Sequence, residues 1–154
     1  MRGACFALSL ALLAGACRGP AYRDEGSTEL ERTFRASERK VKENRILSGL
    51  AQMEEALAGY IKTEGRIPDR IDLLVPKYLA EIPDLEIDVP EHGQTSAVKN
   101  YPSDALRDGQ IDGSRLKDTG RWGYIFNDRQ VVVFVDCTHP SSRGRPWYKE
   151  RGVR

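Results

Sequence analysis

Apolar residues recur at helical spacing through Ile46, Leu47, Leu50, Met53, Leu57, Ala58, Tyr60 and Ile61, while Glu43, Arg45, Gln52, Glu55 and Lys62 fall largely elsewhere. A stripe of that length commits the chain to one long amphipathic helix with a face to bury. Gly65 supplies a stop and Pro68 forbids continuation, so the helix ends at Gly65. Its start is predicted at Thr28-Glu29-Leu30-Glu31, a capping-box pattern that offers a side-chain oxygen to the open amides and a carboxylate three residues on. The first half, Glu29 to Glu43, is polar. The apolar stripe reads as core packing rather than as a groove for a partner helix, and Glu54-Glu55 as its solvated side.

The rest of the chain supplies what that face covers. Ile71 to Leu79 is a short apolar turn or helix closed by Ile82-Pro83. Residues 84 to about 120 hold Gly, Pro, Asp, Ser and Asn with few apolar residues, and read as a long irregular surface loop. Gly123-Tyr124-Ile125-Phe126-Asn127 and Gln130 to Asp136 are β-branched and aromatic runs around the polar pair Asp128-Arg129, which predicts a hairpin. Ser141 to Pro146 is a second turn, and Trp147-Tyr148-Lys149 a short last strand. The expected fold is α+β: a long N-terminal amphipathic helix packed on a small antiparallel sheet, with Trp122 and Trp147 as large core or rim aromatics.

At the other end stand Arg2, the apolar run Phe6 to Leu13, the small residues Ala14-Gly15-Ala16, and Cys17. An h-region of roughly ten residues is too short to span a bilayer and has the layout of an export signal. Cys17 resembles the lipobox cysteine of bacterial lipoproteins, whose thiol receives a diacylglycerol with palmitate-type chains before cleavage on its amino side. The expected organisation is a signal peptide at 1–16, a lipid-anchored tether at 17–27 and one α+β domain at 28–154. Arg18 is not the Asp that favours retention at the inner membrane, so the expected location is the outer membrane, facing the periplasm. Ala14-Gly15-Ala16 also satisfies the rule for ordinary secretory cleavage, which leaves a secreted chain as the alternative.

With 24 Lys and Arg against 23 Asp and Glu, interspersed, no long-range field points to nucleic acid. Three cysteines, one in the signal and one at the new terminus, make no disulfide framework, and lipid on Cys17 leaves Cys137 unpaired.

Three segments in order carry a second resemblance: Leu57-Ala58-Gly59-Tyr60-Ile61-Lys62-Thr63-Glu64-Gly65-Arg66-Ile67-Pro68, then Leu73 to Pro83, then Gly120-Arg121-Trp122-Gly123-Tyr124 leading into Val131 to Val135. They resemble the soluble part of type IV pilin-like proteins, in particular the major pseudopilin of type II secretion. The resemblance implies a helix laid across a small curled sheet and a structural role in a secretion or pilus machine. Two features depart from it. The approach Glu29 to Glu43 is too polar for a filament core. Ser141-Ser142-Arg143-Gly144-Arg145 also puts cations where the family's calcium loop needs carboxylates. An anchored, non-polymerising accessory that acts through protein partners is therefore expected.

Chemistry-bearing residues are few. Cys137 and His139, at i and i+2 on a strand end, share a face, and His92 or a loop Asp would complete a metal set. The expectation is nevertheless structural: Cys137 packs as a small hydrophobe, His139 borders a turn, and no metal or catalytic residue is assigned. A metal-dependent or thiol enzyme using Asp136, Cys137, His139 and His92 is the rival. Asp104, Asp108, Asp112 and Asp118 are Ca²⁺ candidates that lack the D-x-D-x-D-G order. No phosphate cradle, nucleophile elbow or zinc-protease motif appears.

Overall fold

The computed structural model of the protein describes residues 25–152. The predicted signal peptide, Cys17 and the tether up to residue 24 lie outside the described residues. One helix, α1 (Glu25–Glu64), precedes five strands: β1 (Val98–Tyr101), β2 (Leu106–Arg107), β3 (Gln110–Ile111), β4 (Arg121–Phe126) and β5 (Val131–Asp136). The helix is already running at Glu25, so Thr28 lies inside it rather than capping it. Gly26 costs only about 1 kcal/mol in a helix, too little by itself to stop one that continues to Glu64. At the other end Gly65 takes φ +68 and its amide donates to the Ile61 carbonyl at 3.0 Å, closing the helix where predicted.

Among the described residues, the packed face of α1 lies in its second half. Ile46, Leu47, Leu50, Met53, Ala56, Leu57 and Tyr60 are buried, spaced to keep one face on the domain, whereas every residue from 28 to 41 is exposed. Ala58, assigned to the stripe by spacing, is exposed.

The main sheet has the order β1-β4-β5. The β4–β5 hairpin forms as predicted, with Trp122 opposite Val135 and Tyr124 opposite Val133. The sheet is mixed rather than antiparallel, because β1 runs parallel to β4, with Val98 beside Trp122 and Tyr101 beside Ile125. A parallel partner needs a crossover of a dozen or more residues. Residues 102–120 provide it and contain the small β2–β3 hairpin. The stretch 84–120 is therefore more than a surface loop: it carries β1 and buries Leu85 and Ile87. Trp147-Tyr148-Lys149 forms a single 3₁₀ turn, not a strand. Pro146 has no N–H for a ladder, while the Trp147 and Tyr148 amides donate to the His139 and Cys137 carbonyls, both at 3.1 Å, holding the turn against the chain leaving β5.

Period-two alternation divides the core. Trp122, Tyr124, Val133 and Val135 join the buried helix residues on one side of the sheet. Ile125 and Phe134 meet Tyr101, Ala105, Leu106 and Ile111 on the other. Cys137 continues the parity of Val133 and Val135 and lies on the helix side.

Two buried phenols tie loops to this sheet. Tyr124 donates to the Pro68 carbonyl at 2.6 Å; Tyr101 donates to Asp136 Oδ2 at 2.8 Å and accepts from the Lys117 amide at 2.8 Å. Burial is the main cause that holds both above the usual tyrosine range. The unfolded chain gives up these protons near pH 10, the folded chain only later, so the contribution is intact below about pH 10 and declines as pH rises beyond it. In an alkaline titration, part of the tyrosinate absorbance should lag and appear only with loss of circular dichroism. Tyr101→Phe and Tyr124→Phe should each remove part of the lagging component. Ionisation of all tyrosines near pH 10 with the fold intact would contradict this.

Candidate functional site

The chain leaving β5 meets two loops at one place. The first, residues 85–95, is closed by reciprocal backbone hydrogen bonds between Leu85 and Thr95 at 2.8 and 2.9 Å, with Leu85 and Ile87 buried beneath it. Its tip turns through a His92 amide bond to the Val89 carbonyl at 3.0 Å, which directs the imidazole inward: the side chain is 4% exposed. The second loop precedes β4 and is clamped by Asp136. Its Oδ2 accepts from the Thr119 amide at 3.2 Å and hydroxyl at 2.5 Å, and its carbonyl accepts from the Gly120 amide at 2.9 Å. Gly120, at φ +66, is required twice: its backbone is left-handed, and a Cβ there would lie 2.5 Å from His92 Cγ.

Asp118 sits on this loop with φ 52, a conformation that Asp tolerates better than most side chains. Oδ1 accepts from the Thr138 amide at 2.9 Å and Oδ2 from its hydroxyl at 2.8 Å, so the carboxylate is fixed to the strand end. Around it the other groups converge. His92 Nε2 is 3.3 Å from Oδ1, His139 Nδ1 is 3.5 Å from Oδ2, and Cys137 Sγ is 3.6 Å from His139 Nδ1. One ligand atom from each of His92, Asp118, Cys137 and His139 lies within 4.8 Å of all the others. The two imidazoles meet edge to face, their centroids 5.6 Å apart.

The electrostatics follow from these contacts. Partial burial acts against ionisation of Asp118, but the Thr138 amide and hydroxyl and the two imidazoles outweigh it and hold the carboxyl below the usual range. Burial pushes the Cys137 thiol up to about 12, which the His139 backbone contact only partly offsets. A protonated, enclosed thiol is a poor nucleophile. His92 Nε2 is fully enclosed and, although 3.3 Å from Asp118 Oδ1, makes no hydrogen bond among the described residues.

Sequence spacing identified the Cys137/His139 pair, and the structure adds both His92 and a loop acid to it. Asp118 is that acid, one of the four calcium candidates. The other three do not converge with it. Asp104 pairs with Arg115; Asp112 accepts from the Ser114 amide at 3.1 Å and hydroxyl at 2.6 Å and faces Arg107 and Arg115; Asp108 occupies the β2–β3 turn at φ 50. Asp136, a member of the rival enzyme set, points to the other face, toward Tyr101 and Thr119. A groove of about 330 Å³ between α1, residues 86–89 and the 140–142 turn is lined by Arg39, Lys42, Glu43, Glu86 and Asp88 among others, and by none of the four clustered residues.

The chain matches no known protein family, no curated protein and no solved structure.

Proposed function

We propose that this chain is an exported lipoprotein, anchored through Cys17 on the periplasmic side of the outer membrane, whose pilin-like domain serves as a non-enzymatic accessory of a type II secretion or pilus-like machine. The observation that carries this reading is the solvent-exposed stretch of α1 from Glu29 to Val41. Residues 29–38 extend for about 15 Å before Arg39 pairs with Asp88 on the body of the domain, the first such ion pair along the helix among the described residues. Along the exposed part of the helix Leu30, Phe34 and Val41 are 71%, 63% and 60% exposed. At roughly 100° per residue they lie within about 40° of one another, a narrow apolar line on an otherwise charged helix. A line of that kind suits contact with another protein's helix. Among the described residues no helix is long and apolar enough to cross a membrane, and the proposed hold on the bilayer is the lipid.

The test is the amino-terminal peptide mass of protein purified from its native membrane, beside Cys17→Ser. A lipid adduct on Cys17 that vanishes in the variant, with release of the variant to the soluble fraction, is the expected result. A mature chain starting at Cys17 without an adduct, and soluble, would overturn the anchor. A photo-crosslinker at position 34 should capture an envelope protein, and a blank lane would remove the contact role.

A further inference from the structure

The geometry points to a structural metal site: His92, Asp118, Cys137 and His139 hold one zinc-class divalent cation that ties the 85–95 loop and the 117–120 loop to the end of β5. Tetrahedral zinc takes N and O donors at about 2.0–2.2 Å and S at about 2.3 Å, so the edges of such a tetrahedron are about 3.3–3.6 Å. His92 Nε2 lies 3.3 Å from Asp118 Oδ1, His139 Nδ1 lies 3.5 Å from Oδ2 of the same carboxylate, and Cys137 Sγ lies 3.6 Å from His139 Nδ1. One donor atom from each of the four residues lies within 4.8 Å of all the others, so contraction by about 1 Å brings the set to those edges. Two imidazoles, a carboxylate and a thiol are borderline donors of the zinc type, whereas calcium wants six to eight oxygens. Within this group only Asp118 supplies oxygen.

A second, independent observation is the His92 side chain, 4% exposed, whose enclosed Nε2 makes no hydrogen bond among the described residues and lies 3.3 Å from Asp118 Oδ1 at the cluster. Leaving such a group without a partner is costly, and a cation at the centre supplies one. Loading releases the Cys137 proton to solvent. The thiolate and carboxylate then balance the two charges of the ion, and the imidazoles bind neutral. Four protein donors leave no open position for substrate water, so the role is a staple and not a reaction centre. The outer contacts are in place as well: Thr138 orients Asp118, and Gly120 leaves room for the His92 ring. This inference does not rest on the anchored reading, because its readouts are indifferent to the state of Cys17.

The experiment uses the full mature chain with Cys17→Ser, which removes the other thiol, stripped with a chelator and then given one equivalent of Zn²⁺ or Co²⁺. One metal per chain is expected, with a thermal midpoint about 5–10 °C above the stripped protein. The cobalt form should show intense tetrahedral visible bands and a thiolate-to-cobalt charge-transfer band. Cys137→Ala should abolish the charge-transfer band. His139→Gln, at a half-exposed position, should stay folded and lose stoichiometric binding. A midpoint indifferent to zinc, metal well below one per chain, a cobalt spectrum without charge transfer, or equal loading of His139→Gln would each overturn the site.

Discussion

Trp122→Ala should lower stability by about 3–5 kcal/mol and move the denaturant midpoint accordingly, with little change in slope. Trp122 is fully buried at the centre of the main sheet, beside Val98 on β1 and opposite Val135 on β5. Its indole also reaches α1. A Cβ on Gly49 would sit in ordinary contact with Trp122 Cζ2 at 3.6 Å but only 3.0 Å from Pro83 Cβ, so the indole lies beside the helix where the missing side chain leaves room for Pro83. The indole N–H donates to the Pro83 carbonyl at 2.7 Å, which fixes the chain just before the loop that delivers His92. Truncation thus opens a cavity between helix and sheet and leaves that carbonyl without its donor. Trp122→Phe, which restores much of the volume but not the N–H, should recover roughly half of the loss. An alanine variant within about 1 kcal/mol of the parent would mean that the helix is not seated on this residue.

Those same contacts explain which parts of the fold could be read from the chain. The packed half of α1 and the β4–β5 hairpin were legible because their signals are local: a stripe with a glycine stop, and two β-branched runs around Asp128-Arg129. The Cys137/His139 pair was legible for the same reason, since strand parity alone puts both on one side. Strand β1 was not. Val98-Lys99-Asn100-Tyr101 is short, with Lys99 and Asn100 exposed at its middle, and becomes a strand only because β4 lies beside it. The last predicted strand failed in the opposite way, since Trp147 and Tyr148 have β propensity but follow Pro146 and turn at once. The convergence of His92 and Asp118 had no local signature. It depends on the Leu85–Thr95 closure and on the Asp136 clamp, which joins residues seventeen apart in sequence. Asp118 stood among four loop acids, and what distinguishes it from Asp104 and Asp112 is that arginines hold those two.

Replacing both Arg143 and Arg145 by Ala should cost about 3 kcal/mol, even though both side chains are near the surface. The turn at 141–145 carries the cations Arg143 and Arg145, and the rest of the domain brings carboxylates to it. Glu43 of α1 accepts from the Ser142 amide at 2.6 Å and from its hydroxyl. Glu150, 1% exposed, accepts from the Ser141 hydroxyl at 2.8 Å and from Arg145 Nη2 at 2.8 Å, with Arg143 Nη1 at 3.6 Å. Without the guanidiniums a fully enclosed carboxylate keeps one hydroxyl donor. Breaking a buried pair in this way costs about 3–5 kcal/mol, and the low end applies because both arginines are about half exposed and partly screened by water. Arg145→Ala alone should account for most of the loss, given its shorter contact. Adding Glu150→Gln to the double variant should return most of the stability, because an amide needs no countercharge. A double variant with an unchanged denaturant midpoint would mean that charge does not hold Glu150 in place, and that the Glu43 bonds to Ser142 alone fasten the turn to the helix.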